Sequence, residues 1–364
     1  MHQLHQLKIV MKIDKQFEDI FRGKLYQVFM YLIDRCNLSC EQCLYKPNLA
    51  FQLHRKEIPY NEAKELLQKF YDLGASKVTF MGGEPTLYKE LPQLINDAKE
   101  MGYSYVRMDT NGIFPKEFLD DKNVRKIDEI TFSLDGYDEK TNSIRGVGVF
   151  KKCTESIKKA VKLGYMVQIT CCIHKGLTKK DRGKLGILRM IDFTESLSVE
   201  QINFHDLLKV GVPRDTWTGQ VAPSYKSYVS AIKAVEIYVS KNKKIKIRIP
   251  QRLIKASAFQ ENPDYYGYCS GKQKDRLLVF PDGTMRICSL LIGSPYHVAT
   301  YDKNGIHLNN SPTSELVRYN ETINSPCAMG KIKATKIVLL CIAFKPKQDE
   351  PVWTERLKWE RKRI

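Results

Sequence analysis

Two spacings of apolar residues alternate along the chain and predict strands and helices in turn. Short apolar runs bounded by turn residues, such as residues 28–33, are typical of buried strands. Apolar residues three and four positions apart, as in residues 60–73, are typical of helices, and Gly74 marks an end. The pattern predicts strands at 26–34, 77–81, 105–108, 127–134, 166–173, 199–204 and 245–249. It predicts helices at 17–21, 60–73, 89–101, 149–163, 180–197 and 225–241.

This alternation indicates an α/β fold. Strands that alternate with helices form parallel βαβ units with right-handed crossovers. The number of units predicts a partial (β/α)6 TIM-like barrel with a small C-terminal α+β extension. The alternation stops after residue 250, so we expect an N-terminal segment at 1–25, the barrel at 26–250 and a C-terminal domain at 251–364.

Three cysteines follow the first predicted barrel strand at the spacing C-x3-C-x2-C. They are Cys36, Cys40 and Cys43. Loops that leave barrel strands commonly carry the chemistry, and thiolates on so tight a loop can converge on a metal or an iron–sulfur cluster. Structural zinc sites and electron-transfer clusters normally have four protein ligands, so three would leave one iron open. The alternative is that these are ordinary buried cysteines.

The next three strands end in further candidate ligands. Gly82 and Gly83 leave the backbone bare, so that a ligand can approach closely. Glu84 offers a carboxylate to an ammonium group, and Pro85 fixes the turn. Asn111 lies in a turn signal at the end of the third strand. Ser133 lies at the end of the fourth strand and Arg145 follows it, and a hydroxyl with a guanidinium suits a carboxylate. The alternative there is a plain turn at Asp135-Gly136 with Arg145 on a surface loop.

Composition narrows the class of protein further. Hydrophobic residues make up 43% and charged residues 27% of the 364 residues, which is ordinary for a soluble protein. The net charge of +18 favours nucleic acid, phosphorylated molecules or acidic peptides as partners, unless it is simply a solvated lysine-rich surface. Neither a signal peptide nor an apolar stretch of bilayer length is present, and ten cysteines do not make a disulfide scaffold. We therefore expect a cytoplasmic protein without a membrane partner.

The cysteine loop and the Gly-Gly-Glu-Pro run together resemble the motifs of the radical S-adenosylmethionine (radical SAM) superfamily, over about residues 26–250. The resemblance implies a [4Fe–4S] cluster on Cys36, Cys40 and Cys43, with S-adenosylmethionine chelating the open iron. It also implies reductive cleavage to methionine and a 5′-deoxyadenosyl radical that abstracts hydrogen from a substrate. An external reductant such as flavodoxin or ferredoxin would supply the electron.

The resemblance also assigns cofactor-binding residues. Glu84 and the backbone at 82–84 would bind the amine, and Ser133 with Arg145 the carboxylate or ribose. Many members carry an aromatic residue just before the last cysteine, where this chain has Gln42, and Tyr45 lies two residues beyond that cysteine. Either could meet the adenine. The implied cofactor-binding set is Gly82, Gly83, Glu84, Pro85, Asn111, Ser133, Arg145 and Tyr45.

Four cysteines beyond residue 250 suggest a second cluster. Cys269 lies before a predicted hairpin that turns at residues 281–284, and Cys288 lies after the turn. This arrangement resembles the start of a SPASM or twitch extension. Such extensions carry auxiliary iron–sulfur clusters. We expect one, on Cys269, Cys288 and Cys327 with or without Cys341, although the close C-x2-C pair usual in the family is missing. The alternative is a cluster-free tail.

Two strand ends supply candidate substrate contacts. Some relatives use a cysteine near Cys171 and Cys172 to quench a substrate radical by donating hydrogen. Buried structural cysteines are the alternative. His205 and Asp206 end the following strand and either contact substrate or complete the barrel rim.

Three functions compete. The first is a radical SAM enzyme, as oxidoreductase, epimerase or other radical-based modifier, acting on a small polar metabolite of sugar or nucleoside type or on a peptide. Peptide-modifying relatives often carry a binding domain before the cluster, and only 35 residues precede Cys36, which favours a small molecule. The second, an RNA-modifying enzyme, suits the charge but lacks basic-aromatic interleaving. The third is an iron–sulfur electron-transfer protein, against which the amino-acid-binding run at 82–85 argues.

Overall fold

The structure is a computed structural model that describes most of the first 317 residues and two short strands beyond them. The described residues are 11–45, 57–207, 221–241, 244–249, 252–255, 261, 268–292, 294–317, 337–340 and 344–345. Within them, no helix combines the length and the hydropathy needed to cross a bilayer.

Strands and helices alternate through the first two thirds of the described chain. The strands are β1 (Lys12–Ile13), β2 (Gln27–Tyr31), β3 (Lys77–Met81), β4 (Tyr105–Thr110), β5 (Glu129–Ser133), β6 (Met166–Ile173), β7 (Lys180–Asp181), β8 (Lys184–Leu185), β9 (Gln201–Asp206), β10 (Lys246–Arg248), β11 (Arg252–Lys255), β12 (Tyr268–Cys269), β13 (Arg276–Val279), β14 (Thr284–Arg286), β15 (Ala299–Asp302), β16 (Gly305–Leu308), β17 (Ile337–Leu340) and β18 (Phe344–Lys345). The α-helices are α1 (Lys15–Phe21), α2 (Tyr60–Asp72), α3 (Leu91–Met101), α4 (Val149–Lys162), α5 (Gly186–Ser196), α6 (Tyr225–Lys241) and α7 (Ser270–Gln273).

The strands of the main sheet lie in the order β1-β16-β15-β14-β13-β2-β3-β4-β5-β6-β9-β10. Strands β2 to β6, β9 and β10 pair in parallel, and α2 to α6 lie between them in the chain. This arrangement confirms the predicted α/β fold with a parallel, TIM-like partial barrel. Since parallel neighbours share a direction, the loops after β2 to β6 and β9 meet at one end.

The helices form where one face can be buried against the sheet. In α2, Ala63, Leu66, Leu67 and Phe70 are buried, at the spacing of one helical face. Helix α3 ends at Gly102, which takes the left-handed conformation at φ +103° that terminates helices.

Strand β6 shows how the sheet separates two environments. Val167, Ile169, Cys171 and Ile173 are buried, and the residues between them are half-buried or exposed. Alternate residues of a strand point to opposite faces, so the apolar set packs under the helices while Gln168, Thr170 and Cys172 face the lumen of the barrel. This lumen is where a substrate could lie.

The C-terminal strands continue the barrel sheet. Strand β13 pairs in parallel with β2, with Leu278 opposite Phe29, and β14 to β16 extend the edge in antiparallel order. Strand β1 closes this edge by pairing with β16. The predicted hairpin around residues 281–284 is confirmed. The division into domains at residue 250 stays a prediction.

The helix predicted over 180–197 is wrong in its first turn and a half. Residues 180–185 form the hairpin β7–β8, and α5 begins only at Gly186. The two turn residues, Arg182 and Gly183, both take positive φ, at +47° and +81°. A two-residue turn of this kind needs positive φ at both positions, and this conformation breaks a helix.

Candidate active site

The three cysteines lie on a loop anchored to neighbouring strand ends. Asn37 donates through Nδ2 to the carbonyl of Ile113 at 2.8 Å, and the backbone N–H of Glu41 donates to the carbonyl of Ile144 at 2.9 Å. Both partners follow strands of the barrel, β4 and β5 respectively. The loop is therefore fixed over the end of the barrel where the other predicted ligands lie.

The thiols of Cys36, Cys40 and Cys43 are half-buried and influence one another. Burial, and then the neighbouring thiols Cys40 and Cys36, raise the pKa of Cys43 to about 12. Burial is also the main cause that raises the pKa of Cys36 to about 11. The sulfur of Cys36 accepts from the N–H of Leu38 at 3.4 Å and from Asn111 Nδ2 at 3.7 Å.

Such thiols resist ionisation unless a positive centre compensates them, as an iron–sulfur cluster does. Among the residues that the structure describes, no three histidine, cysteine or acidic side chains converge as a metal-binding group. The donor set nevertheless fits a cluster in its chemistry, because three thiols share one loop and the Cys36 sulfur already receives hydrogen bonds. Hydrogen bonds to ligand sulfurs are a usual feature of cluster sites.

Gly82 and Gly83 permit the end of β3 to lie against the chain that enters the cysteine loop. The N–H of Gly83 donates to Ile33 O at 2.6 Å, and that of Glu84 to Arg35 O at 2.9 Å. A Cβ on Gly82 would lie 2.5 Å from Ile33 O, and one on Gly83 would overlap Arg35 O. The glycines are thus required by contact between backbones, a reason that differs from the predicted approach of a ligand.

Glu84 is almost fully buried and joins two strand ends. Its Oε1 accepts from the hydroxyl of Thr110 at 2.7 Å and from the hydroxyl and N–H of Thr86 at 2.8 and 3.2 Å. Its Oε2 accepts from the N–H of Asn111 at 2.8 Å. Burial raises the pKa of this carboxyl, against these hydrogen bonds. Its predicted contact with an ammonium group stays a prediction.

Pro85 and Asn111 lie beside Glu84, at the ends of β3 and β4. Pro85 begins a 3-10 helix at Pro85–Leu87, with Glu84 as its cap. Asn111 donates to Asn37 Oδ1 at 2.8 Å and accepts from the N–H of Ile113 at 2.8 Å. Asn111 therefore positions the cysteine loop relative to β4, and its direct contact with a cofactor stays a prediction.

Ser133 and Arg145 come to the same end of the barrel. Ser133 is the half-buried last residue of β5, and its carbonyl accepts from the thiol of Cys153 at 3.8 Å. Arg145 ends a 3-10 helix, and its carbonyl accepts from the Cys40 thiol at 3.9 Å. Burial acts to lower the pKa of Arg145, but Asp135 and the nearby thiols outweigh it and raise that pKa.

Asp135, for which the sequence also allows a plain turn, is the buried partner of Arg145. The two side chains lie 2.5 Å apart, from Arg145 Nε to Asp135 Oδ2. Gln42 donates to the same oxygen at 2.5 Å. Gln42 thus contacts Asp135, and no local pattern in the sequence reveals a link across 93 positions.

Tyr45 lies in an aromatic cluster with Tyr31 and Phe280. Its ring centroid is 5.1 Å from that of Tyr31 and 5.7 Å from that of Phe280. The tyrosine is buried, and Phe280 comes from the C-terminal hairpin. Its predicted contact with adenine stays a prediction.

The two cysteines at the end of β6 face opposite sides of the sheet. Cys171 is fully buried under the helices, whereas Cys172 is half-buried, faces the lumen and donates its N–H to Asp135 Oδ1 at 2.5 Å. Hydrogen donation to a substrate stays a prediction for both, and the burial of Cys171 disfavours it there. Cys153 lies in the core.

His205 and Asp206 also point in opposite directions. His205 lies opposite Cys172 and so faces the lumen. Burial and two nearby arginines lower the pKa of His205 to about 4. Asp206 bonds with Tyr228 of α6, and burial raises the pKa of Asp206 to about 6.

A hydrogen-bonded polar network, which the sequence motifs do not indicate, lines the lumen. Arg107 is paired with Asp109, Nε to Oδ1, at 2.6 Å, and its Nε lies 3.3 Å from Glu129 Oε1. Gln168 donates to Glu129 at 2.7 Å and accepts from Asn203 at 2.9 Å. The sequence feature that could have predicted this network is the polar residue at every second position of β4, β5 and β6. These positions face away from the helices.

The described C-terminal cysteines, Cys269 and Cys288, are both buried. Cys327 and Cys341 lie outside the described residues. An auxiliary cluster on these four therefore stays a prediction.

Comparison with known proteins identifies the domain. The model of the radical SAM superfamily matches residues 30–186, which include the cysteine loop and the Gly-Gly-Glu-Pro run. GTP 3′,8-cyclase of Vibrio atlanticus is 28% identical over 205 residues, 55% of this chain and 59% of that protein's length. GTP 3′,8-cyclase of Clostridium botulinum is 25% identical over 281 residues, 73% of this chain and 81% of that protein.

A solved structure has the same fold. The crystal structure of Streptococcus suis SuiB bound to S-adenosylmethionine superposes with a TM-score of 0.58 at 17% identity, covering 77% of this chain and 64% of that one. The superfamily implies a [4Fe–4S] cluster and S-adenosylmethionine, which suits the cysteine loop described above. Residues 30–186 of this chain therefore form a radical SAM domain.

Proposed function

We propose that this chain cleaves S-adenosylmethionine reductively and uses the resulting radical on a small polar molecule bound in the barrel. One observation carries the proposal: the cysteine loop, Glu84 and the Ser133–Arg145 pair surround one end of a barrel whose lumen is polar. When bound, the [4Fe–4S] cluster supplies the electron that breaks the sulfonium bond and yields a 5′-deoxyadenosyl radical.

The residues of this chain would hold and orient the reactants. Cys36, Cys40 and Cys43 would ligate the cluster, with the Asn111 amide directed at one sulfur. Arg145, whose side chain is only 10% exposed, would bind the carboxylate of S-adenosylmethionine, and a charge-assisted bond shielded from water is strong. Enclosure by the strand ends would exclude water.

The lumen supports a substrate with several hydrogen-bonding groups. Arg107, Glu129 and Gln168 are already held by one another, so they present a rigid polar surface. An apolar substrate would displace water from their remaining donor and acceptor positions without replacing its hydrogen bonds, at about 1–3 kcal/mol for each position left unsatisfied. The curated relatives are named for a nucleotide, whereas SuiB has been crystallised with a precursor peptide. The polar lumen favours a molecule of sugar or nucleoside type over a peptide.

A C-terminal auxiliary cluster on Cys269, Cys288 and Cys327, with or without Cys341, forms part of the proposal. So does an external reductant such as flavodoxin or ferredoxin. Support for the cluster comes from two buried cysteines that adjoin the strands extending the barrel sheet.

The test uses protein purified and reconstituted without oxygen. With dithionite and S-adenosylmethionine, the wild type should release 5′-deoxyadenosine and methionine. Changing Cys36, Cys40 and Cys43 together to Ala should abolish this and remove about four irons per chain, leaving the iron of an auxiliary cluster. Failure to form 5′-deoxyadenosine with any reductant would contradict the proposal and favour an electron-transfer protein.

A further inference from the structure

The carboxylate of Asp135 contacts three separate segments of the chain and is fully buried. Its Oδ2 lies 2.5 Å from Arg145 Nε and accepts from Gln42 Nε2 at 2.5 Å. Its Oδ1 accepts from the N–H of Cys172 at 2.5 Å. Burying a carboxylate is costly unless a cation and hydrogen bonds compensate it, and here each supplies part of the compensation.

The backbone of Asp135 is held as firmly as its side chain. Its N–H donates to Asn142 Oδ1 at 2.8 Å, and its carbonyl oxygen lies 2.7 Å from His174 Nε2. The carboxylate is therefore fixed at the end of β5, and the groups bonded to it take their positions from it.

We infer that Asp135 is a positioning residue that sets Arg145 and the cysteine loop in register. The closest approach of this ion pair is at Nε, and the guanidinium also reaches the Cys40 sulfur, so one cation joins Asp135 to the cysteine loop. The bond from Gln42 ties the same carboxylate to the loop between Cys40 and Cys43. This gives a physical role to Gln42, which stands where many superfamily members have an aromatic ring. A phenyl ring could not donate this bond.

The inference rests on the proposed function, in which Arg145 binds the carboxylate of S-adenosylmethionine. It adds that Asp135 acts on this binding only through its partners. Since Asp135 is not expected to ligate iron, the cluster should survive its replacement by Asn, which keeps the shape and removes the charge.

The test compares Asp135→Asn with Asp192→Asn in the full chain, reconstituted without oxygen. Asp192 is a suitable control because it pairs with Lys184 on the surface, where its side chain is 46% exposed. For each variant we measure the iron content and the Kd of S-adenosylmethionine. We also measure the change that S-adenosylmethionine causes in the EPR spectrum of the reduced cluster. We expect unchanged iron in both variants. For Asp135→Asn alone, we expect at least a tenfold higher Kd and a smaller spectral change.

A double-mutant cycle separates positioning from general damage. If Asp135 acts through Arg145, Asp135→Asn/Arg145→Gln should bind S-adenosylmethionine as weakly as Arg145→Gln alone. The double variant carries no unpaired charge at this position. If Asp135→Asn alone does not fold, the double variant can still be compared with Arg145→Gln. Wild-type affinity in Asp135→Asn would overturn the inference, and so would losses that add in full, because replacing Arg145 removes the part of the Asp135 effect that passes through it. Absence of binding to the iron-loaded wild type would instead overturn the proposed function.

Discussion

Glu84→Gln distinguishes a residue that only braces two strand ends from one that also binds cofactor. In the wild type, Oε1 accepts from Thr86 and Thr110, and Oε2 accepts from the N–H of Asn111. A glutamine amide offers one acceptor oxygen and one donor nitrogen. In either orientation a backbone N–H, of Thr86 or of Asn111, would face a donor.

The magnitudes of the two roles differ. A buried donor left unsatisfied costs about 1–3 kcal/mol, so the free energy of unfolding should fall by that amount. If Glu84 also contacts the ammonium group of S-adenosylmethionine, removing that charge costs roughly 2–5 kcal/mol of binding. This weakens binding by about one to three orders of magnitude, at ~1.4 kcal/mol for each factor of ten. We expect both effects, with the iron content unchanged because no cysteine is altered.

Urea unfolding and equilibrium dialysis with labelled S-adenosylmethionine, both without oxygen, measure the two roles separately. Glu18→Gln is the control, since Glu18 pairs with Arg22 at the surface and should contribute less than about 1 kcal/mol. Lower stability with wild-type affinity would remove Glu84 from the ammonium site. Wild-type values for both would refute the argument from buried hydrogen bonds.

Four further substitutions test other parts of the site. Gly83→Ala would force a methyl group against Arg35 O and should cost about 1–3 kcal/mol in urea unfolding, with reduced iron loading. Because the pKa of His205 is lowered to about 4 in the folded chain, its contribution to stability is present above about pH 6.5 and lost as the pH falls through about 4. His205→Gln should remove about 1–3 kcal/mol of that acid-dependent loss, measured by urea unfolding across this range. Cys172→Ala should alter substrate turnover while cleavage of S-adenosylmethionine persists, whereas Cys171→Ala should mainly lower stability; equal turnover in both would contradict the assignment by face.

Local pattern predicted the barrel because strands and helices are encoded by the spacing of neighbouring residues. Strands β3 and β6 and helix α6 have the bounds that their spacing predicts. The β7–β8 hairpin escaped prediction because composition does not reveal a positive φ at Arg182. The ligand motifs were also visible locally, since each follows one strand. The bond between Asp135 and Gln42 was not, because it depends on how distant strand ends meet.

The parallel pairing of β13 with β2 has a consequence for the order of events during synthesis. Residues 276–279 flank the strand that leads into the cysteine loop, yet they leave the ribosome about 250 residues after it. Until they arrive, one side of β2 presents unpaired N–H and C=O groups, as an edge strand does. Closing so long a loop is slow, so the barrel should remain incomplete until then. A chain cut at residue 250 would therefore keep every thiol of the loop and still expose the strand that supports it.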